Sequence, residues 1–440
     1  MLDGLYSLAG RLHPRLEGWL RQLLASDFIA KVAQTFAARI AMLVIGLLMS
    51  VLISRWLGPT NRGIYAVAVL VSSVGMQFGN LGLHASNTYY VARDRSLLPV
   101  LLGNSFVAGL AAGSLIAALV AFLFVFRPDL FPLSSRALAL ALAAIPLGLF
   151  YLLLQNLLLG IQEVSLYNRI EVLSKIGSLL LLLAAIPLHL VTVEALLWIS
   201  LVVAAGALVF TARKLVRVCA SPPRISFKLF KDSLGYGYKA YLAALFSFLV
   251  IRADLFLVNY FLGETQSGYY SIAITLADMV YMLPMVIGLI LFPRLSAMTR
   301  LVEKWAYTRK VTLIVFGLIS ALSLVLSLVS PWVIRLLYGE AFLPSSAAFV
   351  WLLPAIVFLS TNTMLMNFFA SIGMPRITIY SPFAALAVNI LLNWLLIPRL
   401  GIVGASLSSV GAYGLMLILS MSYIARNKLA YGTELPQTAF

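Results

Sequence analysis

The 440-residue chain holds one cysteine, Cys219, and three histidines. A lone thiol cannot close an intramolecular disulfide, and no clustered Cys/His set has metal-ligand spacing, so a resident metal and other cofactors are not expected. Charge is scarce as well. Only 10% of residues are Asp, Glu, Lys or Arg, against roughly 25% in soluble globular proteins, so the chain cannot clothe a water-facing surface. No Gly-x-x-x-x-Gly-Lys-Ser/Thr loop occurs, which leaves an ion gradient, the membrane potential or downhill flow as driving force. Strand alternation is missing too, which excludes a β-barrel.

What fills the chain is apolar: 62% of it is hydrophobic. The runs, broken by charged or Pro/Gly-rich stretches, predict an all-α integral membrane protein with twelve spans of about 20 residues each. Basic residues outnumber acidic ones 31 to 15. In a chain this apolar the excess signals loops on the cytoplasmic side, not nucleic-acid binding. With both termini cytoplasmic, most Lys and Arg fall on inner segments. Arg55, Arg62, Arg127, Arg136, Arg335 and Arg399 fall in outer loops, and Arg39, Lys175 and Arg252 inside spans. Residues 1–31 show no cleavable signal peptide. Leu16, Trp19, Leu20, Leu23 and Leu24 share one helical face there, which predicts a helix lying in the membrane interface.

The phrase Leu-Gly-x-x-x-x-Gly-x-Tyr-x-x-Ala occurs twice. Gly58, Gly63, Tyr65 and Ala68 return as Gly263, Gly268, Tyr270 and Ala273. Pro146 and Pro354, Gly160 and Gly373, Tyr167 and Tyr380, and Ile186-Pro187 and Ile397-Pro398 follow in the same order. The chain therefore divides into an N-lobe (32–212) and a C-lobe (238–424) of six helices each. A basic linker (213–237) lying against anionic lipid joins them, and a cytoplasmic tail (425–440) follows. Six spans per half make the repeat parallel, a design in which one lobe rocks against the other around a central cleft.

Arg55-Trp-Leu-Gly-Pro-x-x-x-Gly63-x-Tyr65 resembles the polysaccharide-export branch of the MOP superfamily. So do Asp254 with Leu-Gly-x-x-x-x-Gly-Tyr-Tyr-x-x-Ala, and the Ile-Pro-x-x-Gly-x-x-Gly-Ala run at 397–405. These are the Wzx-type oligosaccharide flippases, related to lipid II flippases and MATE exporters. The likeness covers roughly residues 30–425. It implies two lobes in a V, related by a pseudo-two-fold axis. It also implies export of an undecaprenyl-diphosphate-linked oligosaccharide across a bacterial plasma membrane, with membrane lipids around it and a polysaccharide polymerase and chain-length regulator as partners.

Ionisable groups inside a membrane are costly and normally face a bundle interior or a wet cavity. Arg39 lies on a stripe with Thr35, Met42, Gly46 and Ser50, either as a cation for a diphosphate or in a salt bridge. Glu171 and Lys175, at i and i+4, read first as a neutral pair and second as a proton or substrate site. Arg252 and Asp254 point to different faces of one helix, Arg252 toward the cleft or snorkelling outward, Asp254 as packing or headgroup-level structure. Asp278 reads as a lone carboxylate able to take H⁺ or Na⁺, or as a hydrogen-bonded interior group. Gln77, Asn80, His84 and Asn87 form a polar stripe, and Asn362, Thr363, Asn367, Asn389 and Asn393 line later helices. Such amides suit sugar hydroxyls or interhelical hydrogen bonds. Gln77, Asn80 and Asn362 join Arg39, Arg252 and Lys175 as substrate-binding candidates, and Asp278, Glu171 and Asp254 are the ion-coupling candidates. A drug exporter for cationic substrates would need a net acidic cavity. A membrane polymerase or ligase would need a large outer domain.

Overall fold

The computed structural model describes residues 27–127, 133–219 and 221–427, with side chains from residue 34 onward. The expected interfacial helix and most of the tail lie outside these residues. The described residues form eleven α-helices and no strand: α1 (Asp27–Asn80), α2 (Leu83–Arg93), α3 (Leu98–Phe126), α4 (Ser135–Gly160), α5 (Val164–Ala185), α6 (Val193–Val218), α7 (Phe227–Ala297), α8 (Leu301–Tyr338), α9 (Ser345–Ser371), α10 (Ile377–Leu400) and α11 (Ile402–Arg426). Nine of them are long and apolar enough to cross a membrane. Two of the nine, α1 and α7, run to 54 and 71 residues and bend sharply at Gly58 and Gly263. Each is therefore two membrane-length arms. With α5, which carries Arg169, Glu171 and Lys175 within its 22 residues, the twelve expected crossings are complete.

The two bends are the repeated phrase. Gly58 (φ 70°) and Gly263 (φ 79°) take a left-handed backbone that only glycine adopts without strain. Pro59 then opens the second arm of α1, where its missing N–H costs nothing. The expected loops are thus single-residue hinges between helices. This moves Arg55 and Arg62 out of the loop expected for them and onto helix faces.

The two hinges also pack against each other. Thr60 Oγ1 and Thr265 Oγ1, equivalent residues of the repeat, lie 2.8 Å apart. A Cβ on Gly63 would sit 1.8 Å from the Glu264 carbonyl oxygen, and one on Gly268 would sit 1.9 Å from that of Pro59. The contact is reciprocal, so the pseudo-two-fold axis passes through it. We call this end of the bundle the outer end, following the distribution of basic residues. Gly63→Val is expected to leave each lobe folded but hold the outer ends apart. A membrane-impermeant maleimide should then label a cysteine at Thr265 faster than in the parent protein.

At the opposite end Gly82 and Gly237 meet backbone to backbone, where a Cβ on either would fall 2.4–2.5 Å from the other's carbonyl oxygen. Tyr89 and Tyr236 stack there with ring centroids 4.1 Å apart, and Tyr241 donates to the Phe78 carbonyl (3.1 Å). The lobes therefore touch at both ends. The basic residues of the expected linker mostly lie on helix: α6 reaches Val218 and α7 begins at Phe227. Within the N-lobe, Gly75, Gly79, Gly109 and Gly113 all press against α4, at Ile145, Leu149, Phe150 and Pro146. These small-residue pairs serve packing inside one lobe, as small-xxx-small spacing allows.

Candidate functional site

Between the two ends lies a cavity of about 390 Å³. Its walls come from both lobes: Leu70 to Phe78 on the second arm of α1, Ile116 to Leu123 on α3, and Leu249 to Phe256 on α7. The lining is apolar except for one charged side chain, Arg252. Leu119 and Leu123 are half exposed, so this wall continues onto the outside of the bundle, where lipid would lie.

Arg252 Nη2 donates to Asp278 Oδ2 at 2.9 Å. Asp278 is thus not the lone carboxylate expected, because Arg252 reaches it from the neighbouring arm of α7. The two side chains remain 31% and 40% exposed. The pair is therefore open enough for a second anion to reach Arg252. Asp278 and Asp254 also line a second, small cavity of about 20 Å³, together with Tyr270 and Tyr413. That volume suffices for about one water-sized occupant.

Asp254 is almost fully buried. It accepts hydrogen bonds from Tyr270 Oη (3.1 Å) and Asn393 Nδ2 (2.7 Å) and from the Ser409 hydroxyl. Asn393 also donates to Asn389 Oδ1 (3.0 Å). Every partner is neutral, and no ion pair to Asp254 occurs among the described residues. Asn389 Nδ2 and Asn393 Oδ1 are buried without a partner. The cluster is rich in oxygen donors, the kind a hard monovalent cation or a proton uses. Asp254, Asn389 and Asn393 were legible in the sequence as polar groups inside spans; Ser409 was not.

The other candidates sit elsewhere. Arg39 lies near Tyr167 in the N-lobe. Asn168 binds Thr35 across the same α1–α5 contact (2.9 Å). Glu171 accepts from Tyr151 (3.2 Å) and from Gln155, both on α4. No ion pair joins Glu171 to Lys175 among the described residues; Lys175 extends to the surface. The expected neutral pair is therefore replaced by hydrogen bonds to a neighbouring helix. Asn80 contacts His84 Nδ1 (2.7 Å) at the inner end, and Gln77 is half-buried. Asn362 is buried with neither amide atom partnered. The structure thus brings Arg252, Asp278 and Asp254 together, and Arg39 with Glu171 around Tyr167. No contact links these two groups among the described residues.

Two arginines gain a setting that the sequence reading did not give them. Arg55 donates to the carbonyls of Leu336 and Leu337 (2.5 and 2.7 Å), capping the C-terminal end of α8 across the lobe boundary. Arg62 is buried at the same boundary, its Nη2 3.5 Å from Thr275 Oγ1.

Residues 52–347 match the family described as "Polysaccharide biosynthesis protein". The chain belongs to this family. As a family member it shares its fold with solved transporters of the MOP type at low identity. One is described as "Lipid II flippase MurJ, inward closed conformation", with TM-score 0.70 and 15% identity over 90% of this chain and 87% of that one. A MATE transporter of Vibrio cholerae gives 0.64 and 13%, over 91% and 99%. A MOP superfamily transporter of Pyrococcus furiosus, described as having a binding pocket of reverse polarity, gives 0.66 and 16%, over 94% and 98%. An uncharacterised membrane protein of Methanocaldococcus jannaschii is 26% identical over 208 residues, which is 46% of this chain and only 41% of that protein. The family member is a multi-pass membrane protein of two six-helix lobes.

Proposed function

We propose that the protein is a flippase that moves a polyprenyl-diphosphate-linked oligosaccharide from the inner to the outer leaflet of a bacterial plasma membrane, with both termini cytoplasmic. The observation that carries this reading is the interlobe cavity with Arg252 as its one charged side chain. Its apolar wall, continuous with the lipid-facing surface, suits a prenyl tail. Its guanidinium suits a diphosphate, to which arginine can donate two parallel hydrogen bonds. A cavity for a cationic drug would carry the opposite sign, so multidrug export is disfavoured.

The same geometry suggests a route for ion coupling. A diphosphate that takes Arg252 releases Asp278 into the small cavity it shares with Asp254. Two carboxylates at one site cannot both stay charged without a counter-charge. The released pair is then a site for H⁺ or Na⁺, which links cation binding to the position of the cargo.

Deleting the gene in its native cell is expected to make a lipid-linked glycan accumulate on the cytoplasmic leaflet. Supplying the parent protein should clear it, and Arg252→Gln at equal protein level should clear it at under about a tenth of the rate, a loss of about 1.4 kcal/mol or more. Absence of any accumulated lipid-linked glycan would contradict the proposal.

A further inference from the structure

Arg62 has a peculiar setting for a cation. Its side chain is 7% exposed, lies at the outer end of the lobe interface, and is paired with no carboxylate among the described residues. Its contacts are weak. The one hydrogen bond, to Thr275 Oγ1, is 3.5 Å long, beyond the usual range for N–H···O. The Thr275 hydroxyl spends its own proton on the Ser271 carbonyl (2.7 Å). The Tyr65 ring centroid is 5.7 Å from the guanidinium carbon, near the limit of a cation–π contact. A guanidinium offers five N–H donors; here Nε is buried with no acceptor and Nη2 reaches only a long bond.

The repeat shows that the hinge does not require this arginine. The equivalent residue in the second copy is Ser267, which is buried and bonded within its own lobe to Asn259 and the Gly263 carbonyl. The hinge closes just as well with a small neutral residue there. Arg62 is an addition on one side of the axis, buried where the lobes must part for cargo to leave.

We infer that Arg62 is a second anion-holding residue, masked while the outer ends are closed and offered to a diphosphate group when they part. The inference rests on the flippase reading and adds the outer, release-side subsite to it. Closure strips a cation of most of its water and returns one long hydrogen bond and a distant ring. Parting of the lobes restores its hydration, and a phosphate at the gap gives Nε an acceptor. Arg252 therefore serves the diphosphate at the cavity, and Arg62 draws it toward the outer end and holds that end open until the cargo leaves.

The test uses the full chain in nanodiscs with Cys219→Ser and Thr265→Cys, a position half-buried while the outer ends are closed, so that faster labelling by a membrane-impermeant maleimide reports their parting. Inorganic pyrophosphate, and separately undecaprenyl diphosphate, are added against sodium chloride at matched ionic strength. At least a fivefold acceleration is expected with Arg62 present, and none with Arg62→Gln. Arg62→Lys should keep a reduced response, because an ammonium lacks the forked donors. A response to pyrophosphate means the diphosphate group alone suffices; a response to the lipid alone identifies the headgroup as the source. Equal acceleration in Arg62→Gln, or none in the parent with either ligand, overturns the inference. Should the glutamine variant not fold, an undiminished response in Arg62→Lys overturns it as well. Failure here with glycan translocation intact would remove Arg62 alone. A positive response with no glycan translocated would leave the anion site standing and remove the cargo.

Discussion

Oxidising a Thr60→Cys, Thr265→Cys protein in a Cys219→Ser background is expected to stop translocation, and reduction is expected to restore it. The two hydroxyl oxygens are 2.8 Å apart across the lobe boundary, close enough for two thiols to join without moving either helix far. The bond would tie the outer ends together at their axis. Alternating access requires those ends to part in every cycle, so the loss should be at least a hundredfold rather than partial. Either cysteine alone should translocate normally, because each parent hydroxyl makes one exposed hydrogen bond worth about 1 kcal/mol. A cross-linked protein that still turns over would show that the cargo does not leave between the hinges.

Replacing Asp254 is expected to give the next largest effect, and two substitutions separate its two roles. Asp254→Ala leaves Tyr270, Asn393 and Ser409 with buried donors and no acceptor, each costing about 1–3 kcal/mol. The yield of folded protein should collapse. Asp254→Asn keeps the shape and an acceptor oxygen but removes the negative charge. It should fold, yet its translocation rate should no longer respond to an imposed Na⁺ or pH gradient that accelerates the parent at least tenfold. A gradient response kept in Asp254→Asn would place coupling elsewhere.

The architecture was legible because the bilayer imposes it. Spans of about 20 apolar residues and basic inner loops leave few other solutions. The repeat Gly58–Ala68 and Gly263–Ala273 fixed the division into lobes. That its two copies would clasp each other was not visible, because self-contact across an axis leaves no mark on either copy alone. Spacing along one helix proved a poor guide to partners. Glu171 and Lys175 share a face, yet α4 brings Tyr151 and Gln155 to Glu171 first. Arg252 was read toward the cleft and does line the cavity, but Asp278, 26 residues on, became its partner only through the hinge at Gly263. Arg62 was misplaced in a loop because a lone charge beside proline and glycine looks like a turn. The one signal pointing inward was the mismatch with Ser267 in the second copy.

The central claim for this molecule is carriage of a diphosphate lipid through the interlobe cavity. The most direct measurement reconstitutes the protein in liposomes whose inner leaflet holds a polyprenyl-diphosphate-linked oligosaccharide. The rate at which the sugars become accessible to an external glycan-binding probe is then recorded. Transfer is expected well above protein-free liposomes for the parent and near background for Arg252→Gln. Transfer no faster than without protein, or equally fast in Arg252→Gln, would contradict that claim.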